Sequence, residues 1–561
     1  MTDLWWKSAV VYQIYPRSFA DADGDGMGDL RGIIDHLDHL AELGVDVIWL
    51  SPIHKSPQDD NGYDISDYQD IDPLFGDLAT FDELMTGVHE RGMKLIMDLV
   101  VNHSSDEHQW FVESRSSKDN PKRDWYWWRP GRDGMEAGTP GAEPTNWGSA
   151  FGGPAWEYDK ETGEYYMHLF SPKQPDLNWE NPEVRGAVYE MMRWWLDRGV
   201  DGFRMDVINM ISKVLPLADG RLTAGQAYAD GSAGYINGPR NHEFLHEMYE
   251  QVFAGRTGLL TVGEMPGVTV DEAIRFTDQD RQEVDMVFQF DHVWADRGGD
   301  PWRVFPLQLT VLKGIFGRWQ AGLAEEGWNS LYWNNHDQPR VVSRYGDDSP
   351  EFRAASAKML GTVLHLHRGT PYVYQGEELG MTNYPFQSIT DFRDIEALGQ
   401  FRQATEIEGR EAGDVLTVLR ARGRDNARTP MQWDDSPNGG FSTTTPWLAV
   451  NPNYPQINAK AERANPDSVF HYYRQLIKLR HDEPAVVDGD FTMLLPNDER
   501  LYAFTRKGES AELLVIGNFT GETVEAEIDG WAGAELVLSN LPVNGLTMAP
   551  WQAVVYRRPA T

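Results

Sequence analysis

The sequence predicts an α/β protein built on a (β/α)₈ barrel, with a small domain inserted after the third strand and a C-terminal antiparallel β-sandwich domain. Three observations support this fold class. Short apolar segments alternate with amphipathic helical segments through most of the 561 residues. A stretch rich in Trp, Gly and Pro interrupts this alternation once, after the third strand. Near residue 488 the alternation ends, and short strands without intervening helices follow. The predicted boundaries are 1–103 and 175–487 for the barrel, 104–174 for the inserted domain and 488–561 for the last domain.

The eight barrel strands are predicted from short apolar runs that end in turn residues or polar residues. They cover residues 10–15, 45–50, 94–101, 200–205, 258–262, 286–290, 330–334 and 371–374. Helical periodicity predicts helices at 30–43, 78–91, 188–198 and 467–480. The last domain is predicted to contain strands at 501–506, 512–518, 523–528, 535–538 and 552–557. Catalytic groups of such barrels lie at the C-terminal ends of strands, so the polar residues that follow each strand are candidates for the functional site.

The composition excludes several classes of function. The chain has 50 basic and 87 acidic side chains and a net charge of −37, which argues against nucleic acid or an anionic membrane as a partner. It contains no Cys, so disulfides, thiolate metal sites and thiol catalysis are excluded. No run resembles a signal peptide or a membrane span. We therefore expect a cytoplasmic protein, a monomer or weak homo-oligomer, that binds a small neutral or cationic ligand.

Asp206 is the first candidate for a catalytic residue. It follows the strand at 200–205, and Arg204 lies two residues earlier on the same face of the chain. A guanidinium beside a carboxylate keeps the carboxylate ionised at neutral pH, as a nucleophile must be. The alternative interpretation is a surface salt bridge at a strand end.

Glu264 and Asp337 also follow predicted strands, as do His103 and His336. The ends of barrel strands meet at one face, so the three carboxylic acids are expected to face one pocket. Hydrolysis of a glycosidic bond with retention of configuration needs one ionised carboxylate to attack and one protonated carboxyl to release the leaving oxygen. A lone His is more often structural, but His103 stands beside Asn102 and close to Asp98.

An acidic loop, DADGDGMGD, follows the first strand. It places Asp21, Asp23, Asp25 and Asp29 among glycines, and such spacing brings hard oxygen ligands together as in a calcium loop. The match to the EF-hand pattern is partial, because no Glu stands at the twelfth position and no helix precedes the loop. The loop therefore predicts a structural Ca²⁺ site, with a plain acidic turn as the alternative.

Five motifs give the chain a specific resemblance along its whole length. They are DLVVNH at 98–103, QPDLN at 174–178, GFRMDVINM at 202–210, GEM at 263–265 and NNHDQPR at 334–340. With these motifs in this order, the chain resembles the α-amylase superfamily (glycoside hydrolase family 13), within its oligo-1,6-glucosidase and α-glucosidase group. The resemblance implies a TIM barrel, a glycoside hydrolase activity and no organic cofactor.

The resemblance also implies roles for individual residues. Asp206 would be the nucleophile, Glu264 the general acid/base and Asp337 the third carboxylate, which grips the sugar's 2- and 3-hydroxyls. His103 and His336 would bond sugar hydroxyls, and Arg204 would orient Asp206. Asp60 and Tyr63 would form the blind end of an exo-acting pocket, with Arg428 nearby and Arg424 as a neighbouring candidate. The acidic loop resembles the group's calcium site, to which the Met27 carbonyl would contribute.

Val207 is the residue that indicates which glycosidic link the enzyme prefers. A Val directly after the nucleophile resembles the enzymes of this group that cleave α-1,6 links, although trehalose-6-phosphate hydrolases also carry it. The predicted function is an exo-acting, retaining α-glucosidase that releases glucose from short α-glucosides and prefers α-1,6 links. The alternatives are an α-1,4-glucosidase, a trehalose-6-phosphate hydrolase, and a transglucosylase or sucrose-isomerising enzyme. The RLDRD motif of sucrose isomerases is absent, since residues 388–396 read SITDFRDIE.

A binding protein is the rival of a different class. Relatives associated with transporters keep the barrel but lose the catalytic carboxylates and gain a membrane anchor. This chain keeps Asp206, Glu264 and Asp337. An enzyme is therefore the favoured prediction.

Overall fold

Eight parallel strands form the central sheet of the computed structural model, which describes residues 4–223, 225–298 and 300–560. The strands are β1 (Val11–Ile14), β2 (Val47–Leu50), β3 (Lys94–Leu99), β4 (Gly202–Met205), β5 (Leu260–Glu264), β6 (Met286–Phe288), β7 (Ser330–Tyr332) and β8 (Thr370–Tyr374). Their order in the sheet is β6-β5-β4-β3-β2-β1-β8-β7, and every ladder is parallel. A parallel bridge between Val287 and Asn329 joins β6 to β7 and closes the sheet. The predicted barrel is confirmed.

Alternate residues of the strands fill two separate cores. Val47 and Trp49 belong to a cluster that packs inside the barrel, whereas Ile48 and Leu50 pack outward against the surrounding helices. Both faces are thus buried, which explains why the strands read as continuous apolar runs. β4 begins at Gly202, where a Cβ would lie 1.9 Å from the Leu260 carbonyl oxygen of β5. Only Gly allows this close approach, at a φ of +141°.

Helices surround the barrel and connect its strands. They are Leu30–Asp35, Leu37–Leu43, Leu78–Glu90, Pro182–Asp197, Asn241–Met248, Val270–Thr277, Leu309–Gly322, Val341–Tyr345, Arg353–His365, Ile395–Arg402, Ala412–Arg422, Asp425–Arg428, Ala459–Ala464, Val469–Asp482 and Pro484–Asp488. The single helix predicted at 30–43 is in fact two. It breaks at His36, whose ring nitrogen bonds the Gly32 carbonyl at 2.8 Å while its ring packs on Trp433 at 3.8 Å.

The stretch after β3 forms a small unit over the barrel mouth. It contains the helix Gln109–Ser116 and a three-stranded antiparallel sheet of Trp128–Arg129, Glu164–Met167 and Trp156–Asp159. Trp127, Trp147 and Trp156 build a core within this unit, whereas Trp125 and Trp128 join the main core, so the Trp-rich composition serves both. Val207 and Met210, from the turn after β4, belong to the core within the unit. The unit therefore packs directly on the residues that follow Asp206.

The C-terminal residues form an antiparallel sheet in the order Asp490–Leu494, Leu501–Lys507, Ala511–Asn518, Ala553–Pro559 and Glu535–Ser539. The predicted strand at 523–528 is only Val524–Glu525, which pairs with Thr547–Met548, because the Ile528 amide donates to the nearby Ala526 carbonyl instead of to a neighbouring strand. The strand Asp490–Leu494 was not predicted. Lys313, from the helix Leu309–Gly322, donates to the carbonyls of Leu495, Asp498 and Leu501 and thereby holds this domain against the barrel. Among the described residues, no helix is long and apolar enough to cross a membrane.

Candidate active site

A cavity of about 800 Å³ opens at the C-terminal ends of the barrel strands. Its wall contains most of the side chains that the sequence singled out, namely Asp60, Tyr63, His103, Asp206, Val207, Glu264, His336 and Asp337. Arg204 and Arg428 lie behind this wall, each 1% exposed, whereas Arg424 reaches the cavity itself. The structure thus gathers these candidates in one place, as expected for residues at strand ends.

Arg204 is the centre of the carboxylate cluster. Its Nη1 donates to Asp206 Oδ1 and to Asp98 Oδ1, each at 2.6 Å. Its Nη2 pairs with Glu264 Oε1 at 2.5 Å. The planar fork of one guanidinium therefore fixes the nucleophile candidate and the acid/base candidate as neighbours. Asp98 in turn accepts from Trp49 Nε1 at 2.9 Å and from the Tyr63 hydroxyl at 3.0 Å.

The carboxyls around Arg204 differ in how readily they give up a proton. Burial raises the pKa of Glu264 to about 8, and Arg204 opposes this shift. Burial likewise raises the pKa of Asp206 to about 7 and that of Asp98 to about 6, against the same guanidinium. The order makes Glu264 the group that keeps its proton longest, while Asp206 ionises first of the two. These are the protonation states that retaining hydrolysis requires.

Asp337 has the opposite environment. Its Oδ1 accepts from Arg428 Nη2 at 2.7 Å and from Arg424 Nη1 at 3.3 Å. Although burial favours the neutral form, Arg424 and Arg428 hold the pKa of Asp337 well below its ordinary value. Asp337 is therefore ionised throughout the neutral range and can accept hydrogen bonds from hydroxyl groups.

Arg424 links Asp337 to the far end of the cavity. Its Nη2 lies 3.2 Å from Asp60 Oδ1 and 2.5 Å from Asp394 Oδ1. Asp60 also accepts from Gln174 Nε2 at 3.1 Å. This part of the cavity wall therefore consists of fixed carboxylates and a guanidinium, a surface suited to the hydroxyl groups of a sugar.

The two histidines are buried and neutral. Gln13 Nε2 contacts His336 Nδ1 at 2.8 Å, so the ring proton lies on Nε2, which is 3.3 Å from Asp337 Oδ2. His103 Nε2 lies 3.1 Å from the Tyr63 carbonyl oxygen. Burial lowers the pKa of both rings. The Tyr63 ring stacks on His336 with the centroids 5.1 Å apart and the planes 5° apart, which makes one side of the cavity flat.

Several residues of the site were missed from the sequence. Lys213 is fully buried and donates to Asp176 Oδ2 at 2.7 Å, Asn102 Oδ1 at 3.2 Å and the Met210 carbonyl at 2.7 Å. A single Lys in the otherwise apolar stretch after Asp206 was the available signal. Asp394 and the outer wall gave no such signal, because they come from the long connections that follow β6 and β8 rather than from strand ends. That outer wall includes Trp294, Arg297, Trp302, Glu396 and Gln400.

The acidic loop lies apart from the cavity, since none of its residues lines the wall. Carboxylate oxygens of Asp21, Asp23 and Asp29 lie within 4.8 Å of one another. Asp25 is not in this group, and its Oδ1 accepts from the Met27 amide at 2.7 Å. Three convergent hard-oxygen ligands fit the coordination chemistry of Ca²⁺.

Comparison with known proteins gives a consistent result over nearly the full length. The family model described as "Alpha amylase, catalytic domain" matches residues 13–489. The oligo-1,6-glucosidase of Parageobacillus thermoglucosidasius is 55% identical, with 99% of each chain covered. The oligo-1,6-glucosidase of Bacillus cereus is 53% identical, covering 99% of this chain and all of that one. The crystal structure of Bacillus licheniformis trehalose-6-phosphate hydrolase superimposes with a TM-score of 0.91 at 47% identity, over 99% of this chain and 100% of that chain.

Proposed function

Because the chain belongs to the α-amylase family, within its oligo-1,6-glucosidase and α-glucosidase group, we propose that it is an exo-acting, retaining α-glucosidase that prefers α-1,6 links. It is a glycoside hydrolase, and its substrates are short α-glucosides such as isomaltose. The observation that carries the proposal is the single guanidinium of Arg204, which holds Asp206 and Glu264 side by side at the cavity wall.

The first half of the proposed reaction forms a covalent intermediate. The terminal glucose occupies the closed end of the cavity, and an oxygen of Asp206 attacks its anomeric carbon. The bond from that carbon to the glycosidic oxygen breaks, and Glu264 gives its proton to the leaving oxygen. The raised pKa of Glu264 supports this role, because the carboxyl must hold a proton at the start.

The second half returns the enzyme to its starting state. Glu264, now ionised, takes a proton from water, and the water oxygen attacks the anomeric carbon. The bond to Asp206 breaks, and glucose leaves with its original configuration. Arg204 stays in contact with both carboxylates and compensates their charge as the proton moves.

The closed end of the cavity sets the exo mode. Asp60, Asp337 and Arg424 form a connected group there, and each offers hydrogen bonds to the hydroxyls of a terminal sugar. A longer chain cannot continue past this group, so cleavage releases one glucose at a time. Asp337 grips the 2- and 3-hydroxyls in this proposal, and His103 and His336 bond neighbouring hydroxyls.

Product analysis tests the proposal. The purified protein is incubated with isomaltose, maltose, sucrose and trehalose-6-phosphate, and the products are separated by chromatography. We expect the highest kcat/KM for isomaltose, with α-glucose as the first product in NMR. Preferential cleavage of trehalose-6-phosphate would favour the activity named for the Bacillus licheniformis structure. Conversion of sucrose to an isomer, or transfer of glucose to a second sugar, would indicate that water is excluded from the second step.

A structural Ca²⁺ in the acidic loop is part of the proposal. Asp21, Asp23 and Asp29 would supply carboxylate ligands, with Asp25 and the Met27 carbonyl as further candidates. The loop contacts a distant segment, because the Trp447 amide donates to the Gly26 carbonyl at 3.0 Å. Bound Ca²⁺ would therefore stabilise the fold without touching the sugar.

The cellular location, the oligomeric state and the partners of the protein are also part of the proposal. We place it in the cytoplasm, as a monomer or weak homo-oligomer with a small sugar as its only partner. The net charge of −37 supports the exclusion of nucleic acid.

A further inference from the structure

Val207 has a backbone conformation that is unusual for its residue type. Its φ of 36° and ψ of 40° lie in the left-handed region, which a β-branched side chain disfavours. Among the described non-glycine residues with positive φ, Val207 is the only β-branched one. Strained backbone of this kind persists only where the surrounding structure imposes it, and it is concentrated at functional sites.

The main-chain amide of Val207 points at the acid/base candidate. The N–H of Val207 donates to Glu264 Oε2 at 3.1 Å, while the other carboxylate oxygen pairs with Arg204. Each oxygen of Glu264 therefore has its own donor, and the orientation of the carboxyl group is fixed. The left-handed φ and ψ of Val207 turn the chain after this amide, so that the N–H bonds Glu264 while the isopropyl group packs in the core of the inserted unit.

The surroundings of Val207 hold this conformation in place. Its side chain is 6% exposed and packs in the core of the inserted unit, together with Trp127, Met167 and Met210. Its carbonyl accepts from the Met210 amide at 2.9 Å, and the Met210 carbonyl accepts from Lys213 at 2.7 Å. The apolar core and the buried ammonium thus fix the turn from both sides.

We propose that Val207 is a positioning residue for Glu264, acting through its main-chain N–H in addition to any contact of its side chain with substrate. The proposal rests on the proposed function, in which Glu264 must both lose and regain a proton in each turnover. A donor that bonds the carboxylate stabilises its ionised form, and so limits the rise in pKa that burial causes.

Other charged groups near Glu264 act on the same equilibrium and must be considered with the amide. Arg204 favours the ionised form, whereas Asp206 and Asp337 disfavour it. Asp98 on β3 and Tyr332 on β7 also interact with Glu264. A test must therefore remove the N–H of residue 207 without altering any of these side chains.

Replacing the amide by an ester meets this requirement. Nonsense suppression with the α-hydroxy analogue of valine at position 207 deletes the N–H and keeps the isopropyl group. We expect the alkaline limb of the pH profile of kcat/KM to move up by about one pH unit, since a hydrogen bond to a charged group typically contributes about tenfold. The matched control is the ester at Ile208, whose amide donates no hydrogen bond to a described residue and whose profile should match the wild type.

A glycine variant separates the two roles of residue 207. Val207→Gly keeps the N–H and adopts the left-handed region without strain, but it lacks the methyl groups. Its alkaline limb should stay at the wild-type position, whereas its preference between α-1,6 and α-1,4 links should change. If the glycine variant shifts the limb as far as the ester does, or if the ester leaves it unmoved, the proposal is overturned.

A measurement on the unaltered protein covers the case in which the ester variant does not fold. In protein labelled with ¹⁵N-valine, the amide signal of residue 207 is identified by its loss in Val207→Gly. That signal should show a titration step near pH 8 in the wild type, and this step should be absent in Glu264→Gln, which keeps only the step of the neighbouring Asp206 near pH 7. A wild-type signal without the step near pH 8 would overturn the proposal. Absence of any glucosidase activity would instead refute the proposed function, because the titration needs no substrate.

Discussion

The carboxylate of Asp98 accepts a hydrogen bond from Arg204 at 2.6 Å, and neither side chain is more than 1% exposed. Asp98 does not line the cavity, so it would act on the reaction through its partners Arg204 and Tyr63. We expect Asp98→Asn to lower kcat/KM by about 10–100-fold, equivalent to about 1.4–2.7 kcal/mol. Stability should fall by about 1–3 kcal/mol, less than for a fully broken buried pair, because Arg204 keeps Asp206 and Glu264.

Steady-state kinetics and urea unfolding measure both effects. Asp82→Asn is the matched control, since it breaks an exposed pair with Arg198. Equal losses in the two variants would mean that Asp98 has no special link to the site.

Removal of either proposed catalytic carboxyl should abolish turnover and leave the fold intact. Asp206→Ala and Glu264→Gln are compared with the wild type by circular dichroism and a rate assay. Azide then distinguishes the roles by stereochemistry. We expect β-glucosyl azide from the Asp206 variant and α-glucosyl azide from Glu264→Ala, because azide replaces the nucleophile in one and the water in the other. More than trace activity without azide would refute the assignment.

The side chain of Val207 should influence which bond is cut. It lines the cavity next to Asp206, where a 1,4-linked second sugar would lie closer to its methyl groups than a 1,6-linked one. We expect Val207→Ala or Val207→Thr to raise activity on maltose relative to isomaltose by about 10–200-fold at most. The measurement is the ratio of kcat/KM for the two sugars. An unchanged ratio would leave Val207 without a role in linkage preference.

The pH profile should follow the two carboxyls on Arg204. Activity needs Asp206 ionised and Glu264 protonated, so kcat/KM should rise through about pH 7 and fall through about pH 8. The limbs belong to the coupled pair rather than to single residues. A profile that stays flat to pH 9 would contradict the acid role of Glu264.

The raised pKa of Glu264 should make the folded protein less stable as pH rises. The folded protein binds the proton of Glu264 more tightly than the unfolded chain, so this group costs stability progressively as pH rises from about 4.5 to about 8. Glu264→Gln cannot ionise, so we expect its melting temperature to exceed that of the wild type by a margin that grows over this range. Melting curves at pH 5, 6, 7 and 8 provide the measurement. A constant margin would contradict the shift.

Removing Ca²⁺ should lower the melting temperature without changing activity at low temperature. A ligand bound only to the folded state stabilises it by about 2.7 kcal/mol at a hundredfold excess over Kd. The melting temperature is compared between protein treated with a chelator and the same protein after Ca²⁺ is restored. The melting temperature of Asp23→Asn should change neither on chelation nor on addition of Ca²⁺. Equal melting temperatures before and after chelation would leave the loop as an acidic turn.

One reason makes two features predictable from the sequence: the barrel itself, and the meeting of Asp206, Glu264 and Asp337 at one face. Parallel strands of a barrel end at the same face, so residues far apart in sequence must meet there once the strands are identified. The position of Arg204 two residues before Asp206 likewise follows from strand alternation. The backbone of Val207 was not predictable, because residue propensity argues against it and only tertiary packing imposes it.

The positions of Arg424 and Arg428 at the cavity were also not predictable from the sequence. Asp394 and Arg424 directly precede the helices Ile395–Arg402 and Asp425–Arg428, in the long connection between β8 and the helix Val469–Asp482. Strand alternation does not fix which side chains of this connection face the barrel. Sequence resemblance drew attention to Arg428, yet Arg424 reaches the cavity and contacts both Asp60 and Asp337. Choosing between two arginines four residues apart requires the three-dimensional path of that loop.

The buried Lys213 makes the turn after Asp206 dependent on the inserted unit. Its ammonium is satisfied only when Asn102 at the end of the third strand, Asp176 at the close of the insertion and the Met210 carbonyl have come together. Until the insertion docks, burying this charge is unfavourable, and the turn after Asp206 lacks its support. The turn after Asp206 therefore has its full support only when the inserted unit is docked, so the setting of the proposed nucleophile depends on a unit that contributes none of the three carboxyls.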